Sequence, residues 1–291
     1  MTTMDGDGLR RVRAEYDARM RRGAQPDAAS ARVERAGAVV RQTAAGAGWN
    51  GVLWSDLDEG TADAEIAAQV AYFDALGTPG FEWKLYDHDG PADLGERLRE
   101  AGFVPEPAET LMVGRTEELA VLPAEPPAGV TLRVVTDEAG VDLMMDVHAR
   151  AFGTERPQIR EQMLSLLRDQ PDAIEAVLAL ADGIPVSAAR LEMPPGAPFA
   201  GLWGGGTDPR WRGRGIYRLL VAHRARVAAG RGIPYLQVDA SADSRPILER
   251  LGFRVLGVTV PYVWTRAQDR DGDRPLPCPA AGLPVDGTRP A

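Results

Sequence analysis

The spacing of apolar residues changes along the chain, and each change marks an element. In residues 9–22, Leu9, Val12, Tyr16 and Met20 share one helical face. In residues 32–43, Val33, Val39 and Val40 flank Gly37, a pattern that favours a hairpin over a helix. Residues 49–55 predict a strand. Residues 61–76 predict a helix with Thr61 as its cap, Ile66, Val70 and Phe73 on one face, and Gly77 as its stop. A strand at 81–86, a helix at 92–101 closed by Gly102, and a short strand at 109–114 complete the first half. Residues 118–129 are proline-rich and aperiodic, and predict a linker.

The second half predicts a strand at 130–135 and helices at 137–152 and 156–169. Apolar strands at 174–181 and 184–193 meet at Asp182-Gly183, a hairpin signal. After Pro194-Pro195-Gly196 comes a glycine-laced strand, 199–207. A helix then runs to Gly230 with Ile216, Leu219, Leu220 and Val227 at helical spacing. A strand at 235–239, a helix at 243–251 and closing strands through Trp264 follow. From Gln268 the chain is rich in Pro, Gly and Asp and predicts a disordered tail. The halves parallel one another: strand 81–86, a helix and Ala101-Gly102-Phe103 match strand 235–239, a helix and Leu251-Gly252-Phe253. This order predicts an internal duplication.

Between strand 199–207 and its helix lies Arg210-Trp211-Arg212-Gly213-Arg214-Gly215. A glycine-rich turn opening a helix leaves backbone N–H groups unpaired at the positive end of the helix dipole, a place for a phosphate or pyrophosphate. Glycine lets the backbone approach the anion closely. The spacing Arg-x-x-Gly-x-Gly, the strand before it and the later Leu251-Gly252-Phe253 resemble the GNAT acetyltransferase superfamily over residues 130–266.

The resemblance implies an α/β fold of two GNAT-like units, each a mostly antiparallel central sheet flanked by helices, with a splayed cofactor cleft in the second. The expected domains are a degenerate unit at 1–116, a linker at 117–129, an acetyltransferase domain at 130–266 and a tail at 267–291. The implied activity is acetyl transfer from acetyl-CoA to an amine by direct attack. For coenzyme A, the backbone of Arg212, Gly213, Arg214, Gly215 and Ile216 suits the pyrophosphate, with the side chains of Arg212, Arg214 and Arg218 adding charge. By the same resemblance, the main chain of Gly205, Gly206 and Thr207 pairs with the pantetheine amides, and the arm enters where this strand and Gln237–Asp239 splay apart. Tyr217 replaces a third glycine and packs beside the cofactor; Ser244 takes the place of a small residue near the late helix.

Many family members carry a proton-donating tyrosine in that helix. Alignment on Gly252-Phe253 puts Leu248 there, and Ser241 where Asn is frequent. Tyr262 on the closing strand, and Tyr217, are the remaining acid candidates. Asp239, Glu192 and Glu82 are the base candidates. His148 and His223 read as helix-packing residues. In the first half, Ser55-Asp56-Leu57-Asp58-Glu59-Gly60 stands where the glycine turn stands in the second, and three carboxylates there oppose a pyrophosphate. Only the second half is expected to bind cofactor.

Composition narrows this further. The 291 residues are 44% apolar, enough for packed cores, and no run is long enough to cross a membrane. Cys278 is the single cysteine and the three histidines lie far apart, so neither a disulfide nor a metal site is expected. The start lacks a signal-peptide pattern, and the expected location is the cytoplasm. The net charge of −9 opposes nucleic-acid binding and favours a cationic acceptor, a small-molecule or peptide amine. A monomer or homodimer is expected. The missing tyrosine keeps open a non-catalytic acetyl-CoA-binding or sensory module, while a P-loop is disfavoured because no Gly-Lys-Ser/Thr follows the glycines.

Overall fold

The computed structural model describes residues 5–45 and 48–266; the expected tail and Cys278 lie outside them. Helix α1 (Gly6–Tyr16) is capped by Asp5, which accepts from Gly8 N–H at 2.8 Å. It continues as a π-turn, Asp17–Arg22. The wider turn shifts the inward face, so Arg21 rather than Met20 is the buried residue there. The expected hairpin forms as β1 (Ala31–Ala36) and β2 (Val39–Ala44), with Gly37 at φ 61°. Then come β3 (Gly51–Ser55), α2 (Ala62–Ala75), β4 (Gly80–Tyr86), α3 (Leu94–Glu100), β5 (Val104–Pro105) and β6 (Glu109–Arg115). Phe73 of α2 stacks on Phe81 with ring centroids 4.1 Å apart. Thr61 does not cap α2 with its side chain; its hydroxyl is turned to Asp58.

The expected linker is partly helical. In α4 (Thr116–Ala120), Leu119 is 1% exposed and joins a core with Met112, Val221 and Phe253. Next are β7 (Val130–Val135), α5 (Glu138–Phe152) and α6 (Pro157–Asp169). The hairpin β8 (Ile174–Ala181) and β9 (Ile184–Glu192) turns on Asp182 and Gly183, both at positive φ, as a tight two-residue turn demands. The chain ends as β10 (Phe199–Thr207), α7 (Ile216–Gly230), β11 (Tyr235–Ala240), α8 (Arg245–Leu251) and β12 (Arg254–Thr265), a single strand where several were expected.

These elements form two compact units. One runs to Leu111 and resumes at Leu256; the other is Met112–Val255. The division therefore differs from the expected 1–116 and 130–266. The reason is strand pairing: Thr259–Thr265 of β12 pairs antiparallel with Gly80–Tyr86, so the last strand completes the first unit's sheet. That sheet has the order β1-β2-β3-β4-β12, with β5 on β12. The second unit's sheet has the order β6-β11-β10-β9-β8-β7.

The expected duplication is visible in each unit's connectivity. Both contain a hairpin, a third strand antiparallel to it, a helix, and a fourth strand parallel to the third: β3–α2–β4 in one, β10–α7–β11 in the other. Both third strands carry a register shift against the hairpin. Both following helices end in the same way. Gly102 and Gly252 adopt φ 90° and 105°, and Phe103 and Phe253 N–H donate back to Leu98 and Leu248 at 3.0 Å. This is the six-to-one helix stop that needs glycine at its left-handed position, closed by an apolar contact. Leu248 and Phe253 are fully buried.

Candidate active site

The parallel ladder between β10 and β11 has three pairs, Phe199↔Tyr235, Ala200↔Leu236 and Gly201↔Gln237. It stops there, although β10 continues to Thr207 and β11 to Ala240. Beyond Gly201 the two strands are splayed, and an extended polar chain can add to the edge of β10. On its other edge β10 stays paired to β9 through Gly206↔Ala188 and Thr207↔Ser187, across a bulge at Gly204 and Gly205. Side chains crowd the glycines here, Gly206 most of all. A Cβ on Gly206 would stand 2.7 Å from the Phe152 ring and 2.9 Å from Ala151 Cβ. One on Gly205 would stand 3.1 Å from the Tyr217 ring, and one on Gly204 3.2 Å from Arg190.

The turn after β10 is built by Asp208. Its carboxylate accepts from Arg210 N–H at 3.0 Å and from the Arg210 guanidinium at 2.8 Å. Those bonds, chiefly from the Arg210 side chain, pull its pKa down to about 2. Arg212 spends Nε on Thr207 O and Nη2 on Ala151 O, tying the turn to the end of α5. Its expected contact to an anion is thus committed to the protein, as is the Thr207 carbonyl. Gly213 and Gly215 take φ 73° and 81°, and Gly215 caps α7 without a side-chain bond. The first amide of the helix to find a carbonyl is Leu219, on Gly215 O at 3.0 Å. Among the described residues nothing accepts from the N–H groups of Gly213, Gly215, Ile216, Tyr217 or Arg218. Arg214 lies over Trp211, 4.4 Å from the ring centroid, and neither it nor Arg218 forms an ion pair among the described residues. Five open amides, two guanidinium groups without a carboxylate partner and a helix dipole make an anion seat.

The matching turn of the first unit is closed. There the Asp58 carboxylate accepts from Gly60 N–H at 2.9 Å, Thr61 N–H at 2.9 Å and the Thr61 hydroxyl at 2.8 Å. These bonds, that from the Thr61 hydroxyl first, hold the Asp58 carboxyl below its usual range.

The remaining expected residues fall into separate places. Asp239 is buried on β11, two residues past the last ladder pair. Ser244 stands at the head of α8 with its hydroxyl 3.2 Å from that of Ser241. Glu192 is engaged by Arg190 Nε at 2.6 Å. Glu82 belongs to the first unit, where it accepts from Trp49 Nε1 at 3.1 Å. Tyr262 is also in the first unit, within its core: its ring lies 5.3 Å from the Arg99 guanidinium carbon, and a Cβ on Gly95 would stand 2.6 Å from its hydroxyl. These are the contacts of a packed core residue. Leu248, at the position where the resemblance expects a donor, is core as well.

Two residues at the bulge gave no sign in the sequence. Arg224 of α7 is 1% exposed, donates to Leu220 O and Arg190 O, and meets no carboxylate among the described residues. Burial pushes it down to about 10. Burial also raises the neighbouring Tyr217 phenol. The other residue is His148, on the α5 side.

Residues 141–253 match the Acetyltransferase (GNAT) family. A mycothiol acetyltransferase from Nocardioides sp. (strain ATCC BAA-499 / JS614) is 28% identical over 194 residues, 60% of this chain. The match spans 64% of that relative, less than two thirds of its length. Among solved structures, a GCN5-related N-acetyltransferase from Kribbella flavida aligns with 90% of the chain and 97% of its own, at 21% identity and TM-score 0.65. A tandem GNAT protein from the clavulanic acid biosynthesis pathway aligns with 91% and 97%, at 14% identity and TM-score 0.57. At these identities the structural likeness is one of fold.

Proposed function

We propose that the chain is an acetyltransferase of the GNAT superfamily, a reading supported by the match of residues 141–253, and that its second unit transfers acetyl from acetyl-CoA to a primary amine. The observation that carries the cofactor reading is the pairing of two unfinished edges. The amides of Gly213 and of Gly215 to Arg218 are unspent at the head of α7, and β10 loses its β11 partner after Gly201. Acetyl-CoA brings an activated thioester, a pyrophosphate and a pantetheine arm. The α7 amides receive the pyrophosphate, with Arg214 and Arg218 adding charge. The edge of β10 beyond Gly201, which no longer pairs with β11, receives the arm. Tyr217 flanks it. Ser244 stands at the head of α8, and Asp239 lies on the splayed strand.

The amine nitrogen forms the new bond to the acetyl carbon as the carbon–sulfur bond breaks, the nitrogen loses a proton and the sulfur gains one. Direct transfer asks little more than alignment and a neutral amine. The first unit takes no cofactor, because Asp58 already fills its anion seat. The acceptor is a small amine or an amino terminus, drawn by the net charge of −9. The likeness to a mycothiol acetyltransferase adds the des-acetyl form of mycothiol to the acceptors to be tried. The test is thiol release from acetyl-CoA across a panel of amines and peptides. Amine-dependent release is expected. Binding of acetyl-CoA without release would favour a sensory module, the reading that the buried Leu248 supports.

A further inference from the structure

His148 stands one helical turn before Phe152 in α5, with the two rings 4.6 Å apart between centroids. Phe152 and Ala151 are the groups against which Gly206 packs. From β9, Arg190 reaches Gly204. His148 is therefore part of the wall on the α5 side of the β10 bulge. It is only partly buried, yet its Nε2 is buried and has no hydrogen-bond partner. A buried ring nitrogen left unpaired costs free energy unless something else provides a partner.

The charged groups facing the ring are Arg156, at the head of α6, and Arg190, from β9. Glu192, the carboxylate nearest in the chain to Arg190, is bound to that arginine. Burial first, then these two cations, push His148 down to about 4. The ring is thus neutral at physiological pH, and a neutral imidazole always has one nitrogen able to accept. A lone pair in the field of two arginines accepts an uncharged N–H and disfavours an ammonium.

Resting on the acetyltransferase reading above, we propose that Nε2 of His148 accepts a hydrogen bond from the acceptor's amine and holds it, uncharged, toward the bulge of β10. The histidine then selects the reactive form of the acceptor at the point of attack. Its counterpart across the strand, the Tyr217 and Arg224 side, faces the cofactor arm.

The test uses the full chain with acetyl-CoA and three probe amines: propylamine, glucosamine and glycinamide. His148→Phe keeps the aromatic stack on Phe152 and removes the acceptor; His148→Gln keeps an acceptor of similar reach. His148→Phe is expected to lower kcat/KM for the amine roughly 10- to 100-fold, the loss of one hydrogen bond at a buried site. Acetyl-CoA affinity and amine-independent thioester hydrolysis stay within about twofold, and His148→Gln recovers most of the loss. The pH profile of the wild type gives a second reading independent of either variant. Its kcat/KM follows the ionisation of each amine, with no enzyme group titrating between about pH 5 and 8. A His148→Phe enzyme with unchanged amine kinetics, a parallel loss of acetyl-CoA affinity, or a limb near pH 6.5 overturns the assignment. If the wild type acetylates none of the amines, the functional reading fails and the histidine with it. If the wild type acetylates them and the variant matches it, only the histidine assignment fails.

Discussion

Asp58 closes the head of α2 on Thr61: its carboxylate takes the Thr61 N–H at 2.9 Å and the Thr61 hydroxyl at 2.8 Å. At the head of α7 the corresponding amides are left open, and glycines at positive φ replace the acid. One connectivity thus occurs twice, once with an aspartate bonded to the amides at the helix head and once with glycines in its place. The asymmetry is a matter of a few residues in a turn, and under the proposed function it directs the cofactor to the second unit.

Replacing Asp58 by Ala removes the acceptor for two amides of the first unit. The melting temperature is expected to fall, while acetyl-CoA affinity is unchanged. Calorimetry on the variant and a binding isotherm check both; a change in affinity would mean that the first unit takes part in cofactor binding.

Gly206 and Gly213 separate packing from strain. Gly206→Ala drives a Cβ into the Phe152 ring and Ala151, an overpacking that costs about 1–3 kcal/mol of stability. It also displaces the bulge, so activity falls with stability. Gly213→Ala meets open space but must hold a left-handed backbone, at about 1–2 kcal/mol. That cost distorts the turn alone. Its signature is a weakened acetyl-CoA affinity, roughly tenfold, with the fold's cooperativity intact.

Restoring the family tyrosine at Leu248 is expected to fail. The side chain is fully buried and is fixed against Phe253 by the glycine stop at Gly252. Leu248→Tyr overpacks that core by about 1–3 kcal/mol and adds no rate. Steady-state kinetics and a denaturant melt decide this; a faster enzyme would show that α8 does supply a donor.

The first unit also carries a pH dependence. His88 Nε2 lies 2.9 Å from Asp17, which also takes Arg21, itself held by Asp89. The hydrogen bond to Asp17 raises the His88 pKa above 6.5 against the effect of burial. Burial raises Asp17, but the bonds from His88 and Arg21 outweigh it and leave Asp17 below 3.8. A raised histidine contributes fully below 6.5 and is lost as pH rises through its folded value. A lowered carboxylate contributes fully above 3.8 and is lost as pH falls through its folded value. The pair's contribution is thus greatest between these two values. Melting temperatures against pH should decline on both sides, and His88→Ala should flatten the alkaline decline.

Truncation tests the strand exchange. Deleting residues 1–115 strips β12 of its β4 partner and uncovers Tyr262 and Trp264. The product is expected to aggregate, whereas residues 112–255 alone, which keep the second unit's own core, remain soluble. Light scattering on the two polypeptides distinguishes them.

Local chemistry made much of this legible in the sequence. Asp182-Gly183, Gly252-Phe253 and the Arg-Gly turn each specify a conformation within a few residues, and each forms as expected. Long-range pairing left no such mark. Nothing near Tyr262 says that β12 returns to the first unit, so an acid candidate is found in a hydrophobic core. Arg212 reads as a free cation, but its partners, Thr207 O and Ala151 O, are main-chain atoms that no composition reveals. The same holds for His148: its helical spacing to Phe152 is legible, and the unpartnered nitrogen is not.

Under the proposed function, a diphosphate is held by main-chain amides at the head of α7. The most direct measurement is a backbone amide NMR titration with coenzyme A. The N–H resonances from Gly213 to Arg218 are expected to shift together with saturation, while those of Gly60 and Thr61 stay in place. Stationary Gly213–Arg218 signals in a protein that demonstrably binds coenzyme A would contradict it.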